Sequence, residues 1–262
     1  MFDYKFAYVD IKLAFSSINI WFFMALEEIR QRYRRSILGP AWITISTSIV
    51  LLAMGPLYSK LLGIGISEYF RNLSVGLIIW NYITGCINDS TQVFITSEGY
   101  IKNIKLPYSL YILKVISKNI IIFLHNIVII FAVLYFFPVD NGWYPITFIL
   151  GFLLTTMNLF WISLLIGMIT ARYRDFSQLV ANILQLFFFI TPIIWTVNSI
   201  IEISNYVKYN PFYYFIESMR APLISNEINF SIYLYLLILL FFGMVISFLF
   251  FSKYRRKIIY WL

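Results

Sequence analysis

Six long apolar segments divide the chain, with short polar stretches between them. Each is close to the about 20 residues that a helix needs to cross a hydrocarbon core of about 30 Å. The runs are continuous rather than alternating, which favours helices over the strands of a membrane barrel. The predicted spans cover residues 41–62, 73–95, 110–137, 143–170, 176–197 and 231–251. The pattern predicts an all-α integral membrane protein with six transmembrane helices.

A different periodicity precedes the first span. Apolar residues recur every three or four positions between about Ile11 and Leu38, and charged residues lie between them. This spacing puts the apolar side chains on one face of a helix, as in helices that lie in a membrane interface. We expect residues 1–40 to hold a cytoplasmic amphipathic interface helix. It is either a plain membrane anchor or also a frame for a partner or a substrate entrance.

Composition and charge agree with this architecture. Only 12% of the 262 residues are charged, about half the share in soluble domains, and a single cysteine excludes a disulfide scaffold. Sixteen of the 20 Lys and Arg residues lie before span one, around the turn between spans two and three, between spans four and five, or after span six. Because such residues mark cytoplasmic loops, both termini should be cytoplasmic. The net charge of +8 then reflects topology, and no nucleic-acid partner is expected.

Signatures of catalysis are missing from the chain. No phosphate-binding Gly-x-x-x-x-Gly-Lys-Ser/Thr occurs, and one histidine, His125, with one cysteine is too few for a zinc site or a Ser-His-Asp site. We expect no catalytic, cofactor-binding or metal site here. Asp89 is the single acid within a predicted span, at about the depth of Lys114 and Lys118. It either pairs with one of these lysines or is solvated beyond the lipid together with them.

The predicted cytoplasmic turn 96–107 combines apolar and basic residues. Tyr100, Ile101, Ile104 and Leu106 are apolar groups in a loop that water should cover. An exposed apolar patch with a basic rim is typical of a docking site. The alternative is a loop that simply lies on lipid headgroups.

Five segments, in order along the chain, resemble ABC-2 type permeases that export polysaccharides. They are EEIRQRYRRSILGPAW at 27–42, EGYIKNIKLP at 98–107, ARYRDFSQLVANILQ at 171–185, ITPIIW at 190–195 and NPFYYFIESMRAPL at 210–223. The resemblance implies a homodimeric permease in the bacterial inner membrane that works with two copies of a cytoplasmic ATPase. ATP and Mg would be bound by that ATPase, and the cargo would be a lipid-linked glycan of the O-antigen, capsule or teichoic-acid type.

The same resemblance implies a division of the chain and roles for its residues. Residues 41–197 would hold spans one to five with the coupling loop, 198–229 extracytoplasmic gate helices, and 230–262 span six and a basic tail. The expected ATPase-docking residues are Glu27, Glu28, Arg30, Arg34, Glu98, Tyr100, Ile101, Lys102 and Ile104. Within 198–229, Pro211 separates two short pieces, about 199–208 and 212–220, which should rest at the outer interface as an exit gate or as an immobile surface cap. The expected gate residues are Asn210, Pro211, Tyr213 and Tyr214.

A glycan path needs polar groups and flat aromatic faces, since rings offer contact area at little entropic cost. Candidates for the path are Trp42, Tyr58, Trp80, Tyr82, Asn88, Asn158, Trp161 and Asn182. Any single ring could instead face lipid. Other functions remain open: an ABC-2 exporter of a drug or lipid, a membrane-embedded lipid-sugar transferase, or an ion-coupled carrier. The scattered acids disfavour the transferase, and the lack of a repeat between the halves disfavours the carrier.

Overall fold

The computed structural model describes residues 3–139, 144–195, 207–225 and 229–262, and these ranges fold into helices without a strand. The helices are α1 (Tyr4–Ser16), α2 (Ile18–Arg32), α3 (Ala41–Leu62), α4 (Ile66–Thr96), α5 (Glu98–Asn103), α6 (Tyr108–Phe136), α7 (Pro145–Arg172), α8 (Phe176–Ile190), α9 (Pro211–Ile224), α10 (Phe230–Tyr254) and α11 (Ile258–Trp261). A short 3-10 turn, Arg255–Lys257, joins the last two. The predicted all-α class is confirmed.

A helix lies over each predicted span, but not all are equally apolar. Among the described residues, α3, α6, α7 and the continuous stretch Phe230–Trp261 are long and apolar enough to cross a membrane. The pair α1 and α2 would add a fifth candidate if the two were one span. The predicted spans 73–95 and 176–197 fall on α4, which is long but more polar, and on α8, which is apolar but has only 15 residues.

The predicted fifth span is shorter than expected. We expected it to continue to residue 197, but α8 ends at Ile190, directly before Thr191-Pro192. Proline disfavours a helical conformation in the residue before it, so the helix stops there. Residues 196–206, which include most of the expected piece 199–208, lie outside the described residues, as does the expected start of span four at Trp143.

The amphipathic segment is broken, so the prediction of one continuous helix from Ile11 to Leu38 is wrong. Helices α1 and α2 meet at Ser17 with a bend of 67°. The hydroxyls of Ser16 and Ser17 donate to the carbonyls of Lys12 and Leu13, each at 2.8 Å. Such local bonds compete with the backbone ladder and end or bend helices. The expected apolar face is therefore divided between two helices with different directions.

Helix α4 forms the centre of the bundle, in contact with α3, α6, α7, α8 and α9. Its buried side chains run from Tyr69 to Phe94 and include Leu73, Ile79 and Ile83, which are fully enclosed. Because neighbouring helices cover most of its surface, α4 tolerates polar residues that a lipid-exposed helix of this length would not. This polar content makes α4 less apolar as a whole than α3, α6, α7 and the stretch Phe230–Trp261, although residues 73–95 form one of the predicted apolar segments.

The basic segments meet at one end of the bundle, which we call the basic end. There α1, α5, the start of α6 and the C-terminal helices share an apolar cluster that includes Ala7, Ile101, Leu110 and Ile258. The guanidinium of Arg172, at the end of α7, lies 5.7 Å from the ring centroid of Trp261. Regions that the charge pattern assigns to one side are therefore adjacent in the fold.

A buried carboxylate fastens this end. Asp10 in α1 has no exposed side-chain surface, and its Oδ2 lies 2.8 Å from Arg255 Nε. It also accepts the backbone N–H groups of Tyr108 and Ser109, each at 3.0 Å, and the Ser109 hydroxyl. N–H groups in the first turn of a helix have no partner within it, and the positive end of the helix dipole favours an anion there. Asp10 thus caps α6 and holds the C-terminal region against α1.

Replacement of Asp10 with Ala should destabilise the protein. The change leaves the Arg255 guanidinium without its carboxylate and the first turn of α6 without its cap, so we expect a loss of about 3 kcal/mol. Thermal unfolding in detergent micelles measures it. The matched control is Asp3→Ala, because the Asp3 partner, Arg256, is 68% exposed and such pairs contribute at most about 1 kcal/mol. Equal shifts in the two variants would contradict the buried clamp.

Candidate functional site

Four charged side chains from three helices form one cluster. The ammonium of Lys118 lies 2.8 Å from Asp89 Oδ2 and 2.5 Å from Glu28 Oε1. The ammonium of Lys114 lies 3.0 Å from Glu28 Oε2. Since Lys118 is only 4% exposed, opposite charges must replace its hydration. This ion cluster of Glu28, Asp89, Lys114 and Lys118 connects α2, α4 and α6, and it confirms the predicted pairing of Asp89 with a lysine of span three.

An amide closes the cluster on the side of α4. Asn119 Nδ2 donates to Asp89 Oδ2 at 2.7 Å and to the Val115 carbonyl at 3.0 Å. A Cβ atom at Gly85 would lie 2.4 Å from Asn119 Oδ1. The glycine therefore lets α4 and α6 approach closely, and the amide sets their relative position.

The expected docking residues lie at the basic end on α2, α5 and the turns beside them. Residues 98–103 form the short helix α5, in which Glu98 Oε1 pairs with Lys102 Nζ at 2.5 Å. That hydrogen bond and the lysine charge lower the pKa of Glu98 below its usual value. Tyr100 and Ile104 are about half exposed, whereas Ile101 is buried beneath them. Tyr100 of α5 and Ile104, directly after it, are therefore exposed as expected, whereas the expected exposure of Ile101 is wrong because its side chain packs into the bundle.

Cavities flank α5 on both sides. One, of about 470 Å³, lies between α2 and the turn after α4, and Glu27, Glu28 and Tyr100 are among the residues that line it. The other, of about 520 Å³, has Ile101 and Ile104 in its lining, opposite α1 and the C-terminal region. The structure thus brings the α2 and α5 docking residues to one surface, with α5 as a ridge between two hollows.

The remaining docking residues lie close by, on α2 and in the turn that follows it. Arg30 and Arg34 are exposed, and Arg30 Nη1 bonds Glu27 Oε1 at 2.8 Å. Glu28 differs from them because both of its oxygens bond lysines of α6. Sequence periodicity placed Glu28 on a polar face but gave no sign of these distant partners.

Two rows of amide side chains are exposed on neighbouring helices of the bundle. One row runs along α4 and the other along α8, at spacings that keep each row on one helix face. The members are Asn81, Asn88 and Gln92 on α4, and Gln178, Asn182 and Gln185 on α8. The opposite face of α8, with Val180 and Leu184, is buried against the bundle. Since α4 and α8 are in contact, these amide rows lie on neighbouring helices.

The expected path residues fall into different environments. Trp42, Asn88 and Asn182 are exposed, and Tyr58 and Trp161 are partly exposed. Three others are buried inside the single chain: Trp80, Tyr82 and Asn158.

The buried rings have partners within the chain. Trp80 contacts Phe188 and Phe212 with centroids 5.9 and 5.4 Å apart. The Tyr82 hydroxyl lies 2.8 Å from Thr156 Oγ1. Trp161 donates to Asn158 Oδ1 at 3.0 Å and lies so close to α10 that a Cβ at Gly243 would overlap its ring. In this conformation, therefore, amides rather than rings make up the polar surface of α4 and α8.

At the other end of the bundle, side chains from other helices bond the residues that directly follow α8. The Tyr69 hydroxyl donates to Ile194 O at 2.8 Å, and Arg220 Nη1 donates to Pro192 O at 2.6 Å. Asn210 Nδ2 donates to Thr191 Oγ1 at 2.8 Å. Because buried backbone groups need partners, these bonds hold residues 191–195 against α4 and α9.

Helix α9 is inserted into the bundle, and this differs from the expected position on the surface. Phe215, Ile216 and Met219 are buried against α4, α7 and α10. A Cβ at Gly151 of α7 would lie 2.2 Å from the Ser218 carbonyl oxygen. The missing side chain at Gly151 lets α9 pack directly on α7, and the apolar face of α9 is covered by protein.

The expected gate residues surround the start of α9. Asn210 caps the helix, since its Oδ1 accepts the Phe212 N–H at 2.9 Å, and Pro211 occupies the first turn. The Tyr214 ring stacks on Tyr235 of α10 at a centroid distance of 3.9 Å. Burial raises the pKa of Tyr213 to about 12, so its phenol stays protonated at neutral pH. The gate residues hold α9 in place and leave one neutral hydroxyl nearby.

The structural roles of two charged residues, Arg220 and Asp10, were not predicted from the sequence. Arg220 is only 5% exposed and also pairs with Glu217. An acid and an arginine three positions apart in an apolar helix are a usable signal. Asp10 offered no comparable sign, since its partner Arg255 is 245 residues away. Among the described residues no group of three His, Cys, Asp or Glu side chains could hold a metal ion.

Replacement of Gly151 with Ala should loosen α9. The new methyl group would overlap the Ser218 carbonyl, and we expect a loss of about 1–3 kcal/mol, as in other overpacked sites. The matched control is Gly99→Ala in α5, where nothing lies within 4 Å of the added atom. The control should be neutral or stabilised by up to about 1 kcal/mol. Equal melting temperatures of the two variants would show that α9 is not seated on α7.

Comparison with known proteins places this arrangement in a family. Residues 20–224 match the sequence profile described as ABC-2 type transporter. The chain is 24% identical, over 226 residues, to the O-antigen export system permease protein RfbA of Klebsiella pneumoniae, which covers 84% of this chain and 85% of that protein. A protein of the same name from Myxococcus xanthus is 20% identical over 173 residues, or 66% of each chain.

The matched range begins within α2 and ends with α9. It includes the ion cluster, α5, both amide rows and the segment that follows α8. The resemblance that the sequence motifs indicated is therefore confirmed, and the chain belongs to the ABC-2 type transporter family.

Proposed function

We propose that this chain is the permease subunit of an ATP-driven exporter that moves a lipid-linked polysaccharide, of O-antigen or capsule type, across the bacterial inner membrane. Family membership supports a role in transport rather than in covalent chemistry. Two relatives of the chain are named as permease proteins of O-antigen export systems. The cargo must then be hydrophilic along most of its length, and the structure has to offer it a polar surface within the membrane.

The amide rows carry this proposal. An amide that faces hydrocarbon without a hydrogen-bond partner costs about 2–7 kcal/mol. Gln178 Nε2 donates to Asn182 Oδ1 at 3.2 Å, but this single bond uses only part of the donors and acceptors of the two amides, so the six exposed amides are poorly suited to face lipid. They are suited instead to a water-filled path or to a second protein chain. Amide groups both donate and accept hydrogen bonds, which suits them to the hydroxyls of a passing glycan.

A homodimer would bring the amide rows of two chains to one shared surface. One chain exposes its rows on a single pair of neighbouring helices, and two copies related by a two-fold axis would present the same rows to each other. The path then lies between the copies, with Asn88 and Asn182 on its walls and the expected rings Trp42 and Tyr58 beside it. Trp80, Tyr82 and Trp161 would back these walls unless the bundle opens.

The proposal includes six spans and two cytoplasmic termini. Helix α4 would cross as a span covered by its neighbours. The eighth helix would cross together with residues 191–195, and α9 would close the exit. Helices α1 and α2 would lie in the cytoplasmic interface. The basic end, where the lysines and arginines collect, would then face the cytoplasm.

The energy source would be a separate ATPase, present in two copies, which binds ATP and Mg. Its contact would be the α5 ridge, since Tyr100 and Ile104 are exposed there between two hollows. Glu27 and Arg30 of α2, with Arg34 in the turn after it, would border the same contact. The pair Glu98–Lys102 would keep α5 helical.

The path can be tested by removal of the amides. The variant Asn88→Leu/Gln92→Leu/Asn182→Leu/Gln185→Leu should lower glycan export by at least about 10-fold, because each lost hydrogen bond is worth about 0.5–1.5 kcal/mol. The measurement is ATP-dependent uptake of lipid-linked glycan into inverted membrane vesicles that contain the permease and its ATPase.

The controls separate chemistry from packing. Asn88→Gln with Asn182→Gln retains the amides and should export normally. Met157→Leu changes an exposed apolar residue of α7 and should also be neutral. Export at the wild-type rate by the four-leucine variant would rule out the amide path.

The docking surface makes a separate prediction. Tyr100→Asp with Ile104→Asp puts two charges on the α5 ridge and should reduce ATPase binding by more than about 10-fold, since charge is disfavoured at the core of an interface. Co-purification and titration of the ATPase measure the change. Tyr173→Asp, at another exposed aromatic of the basic end, should bind normally. An unchanged affinity for the α5 variant would place the ATPase elsewhere.

A further inference from the structure

We propose that Lys118 is a positioning residue that couples α2 to the amide row of α4. It deepens the proposed function, on which it rests, because the movement to be coupled begins at a partner ATPase. Three features carry it: Lys118 is shared by two helices, Glu28 is held at two points, and Asp89 adjoins the amide row.

Lys118 belongs to α6 but bonds carboxylates on two other helices. Its ammonium lies 2.5 Å from Glu28 of α2 and 2.8 Å from Asp89 of α4. The side chain is nearly inaccessible to solvent, so water cannot substitute for either partner. A movement of one helix at this depth therefore acts on the other through a single nitrogen atom.

Glu28 transmits the orientation of α2 as well as its position. Its two oxygens bond Lys114 and Lys118, which lie four residues apart on α6. A carboxylate held at both oxygens resists rotation about the axis of its helix. Glu28 also lines the hollow beside α5, so the ion cluster begins at the surface proposed for docking.

Asp89 brings the connection to the path. It follows Asn88 directly in the sequence, and its oxygen is held by Lys118 and by Asn119. The rotation of α4 at this level sets where Asn88 and Gln92 point. A change at Lys118 therefore alters the direction of the amide row without any contact with the cargo.

The ion cluster can open without leaving a charge unpaired. It holds two carboxylates and two ammonium groups, so its net charge is zero. If the bond between Glu28 and Lys118 breaks, Glu28 retains Lys114 and Lys118 retains Asp89. Two complete pairs remain, and each costs far less than an isolated buried charge. The cluster can therefore exist in two discrete arrangements, with or without the bond between Glu28 and Lys118. A coupling element requires two such arrangements.

The test measures coupling rather than stability. In vesicles with the permease and its ATPase, Lys118→Met should retain ATP hydrolysis within about twofold. It should lower the glycan exported per ATP by about 10-fold, within the usual range of coupling between sites. The probe is polyprenyl-linked polysaccharide isolated from the same cells. The control is Ser117→Ala, because the Ser117 hydroxyl bonds only the Leu113 carbonyl of its own helix.

A second variant covers the case in which Lys118→Met does not fold. Lys118→Met/Asp89→Leu removes one charge of each sign and leaves Glu28 paired with Lys114. Apolar replacement of a buried ion pair is often neutral for stability, so this variant should fold and show the same uncoupling. Wild-type export per ATP in either folded variant, or an equal fall of export and hydrolysis, would overturn the proposal.

A cargo-free readout separates this inference from the proposed function. Gln92→Cys reports the exposure of α4 to a membrane-impermeant maleimide, since the native Cys86 is buried. ATP should change its labelling rate with Lys118 present and not with Lys118→Met. If the wild-type complex moves no glycan, the proposed function fails while this labelling still tests Lys118. A response that is absent from both chains, or equal in both, would overturn the coupling role.

Discussion

Charged groups enclosed among apolar helices need opposite charges within bonding distance, and the arrangement of this bundle follows from that need. Lys118 cannot be buried unless α2 and α4 both supply a carboxylate. Arg220 is buried beside Glu217 and a free carbonyl, and Asp10 beside Arg255 and the first turn of α6. Apolar contact alone holds helices together in lipid with little directional preference. The charged contacts at these three sites fix how the helices are oriented relative to one another. The Asp10 and Arg220 sites lie at opposite ends of the bundle, and the ion cluster lies between them.

Much of the architecture could be predicted from local pattern. Apolar runs located helices over all six expected segments, and the charge asymmetry correctly grouped the regions that meet at the basic end. Asp89 was correctly paired because a single acid in a span, close in depth to two lysines, has few ways to be satisfied. These predictions succeeded because each depends on properties that residues carry within one or two helical turns.

The remainder depends on contacts between distant residues. The spacing of apolar residues predicted one helix that continues through Ser17. It did not show that two adjacent serines bend the chain there. The insertion of α9 depends on Gly151, whose absent side chain has meaning only when Ser218 lies opposite. Aromatic content suggested that rings line the path, whereas Trp80 and Tyr82 are used for packing. Of the exposed amides on α4 and α8, only Asn88 and Asn182 were among the expected path residues. The sequence shows which residues are polar, but it does not show which face of each helix remains exposed in the bundle.

The bond from Asp10 to Arg255 also sets an order of assembly. It closes a loop of 245 residues, so Asp10 cannot find its full set of partners until the ribosome has passed Arg255. Before that point Asp10 can accept from the first turn of α6, but its carboxylate lacks its charged partner. A chain that stops before Arg255 would therefore hold α1 against the bundle less firmly.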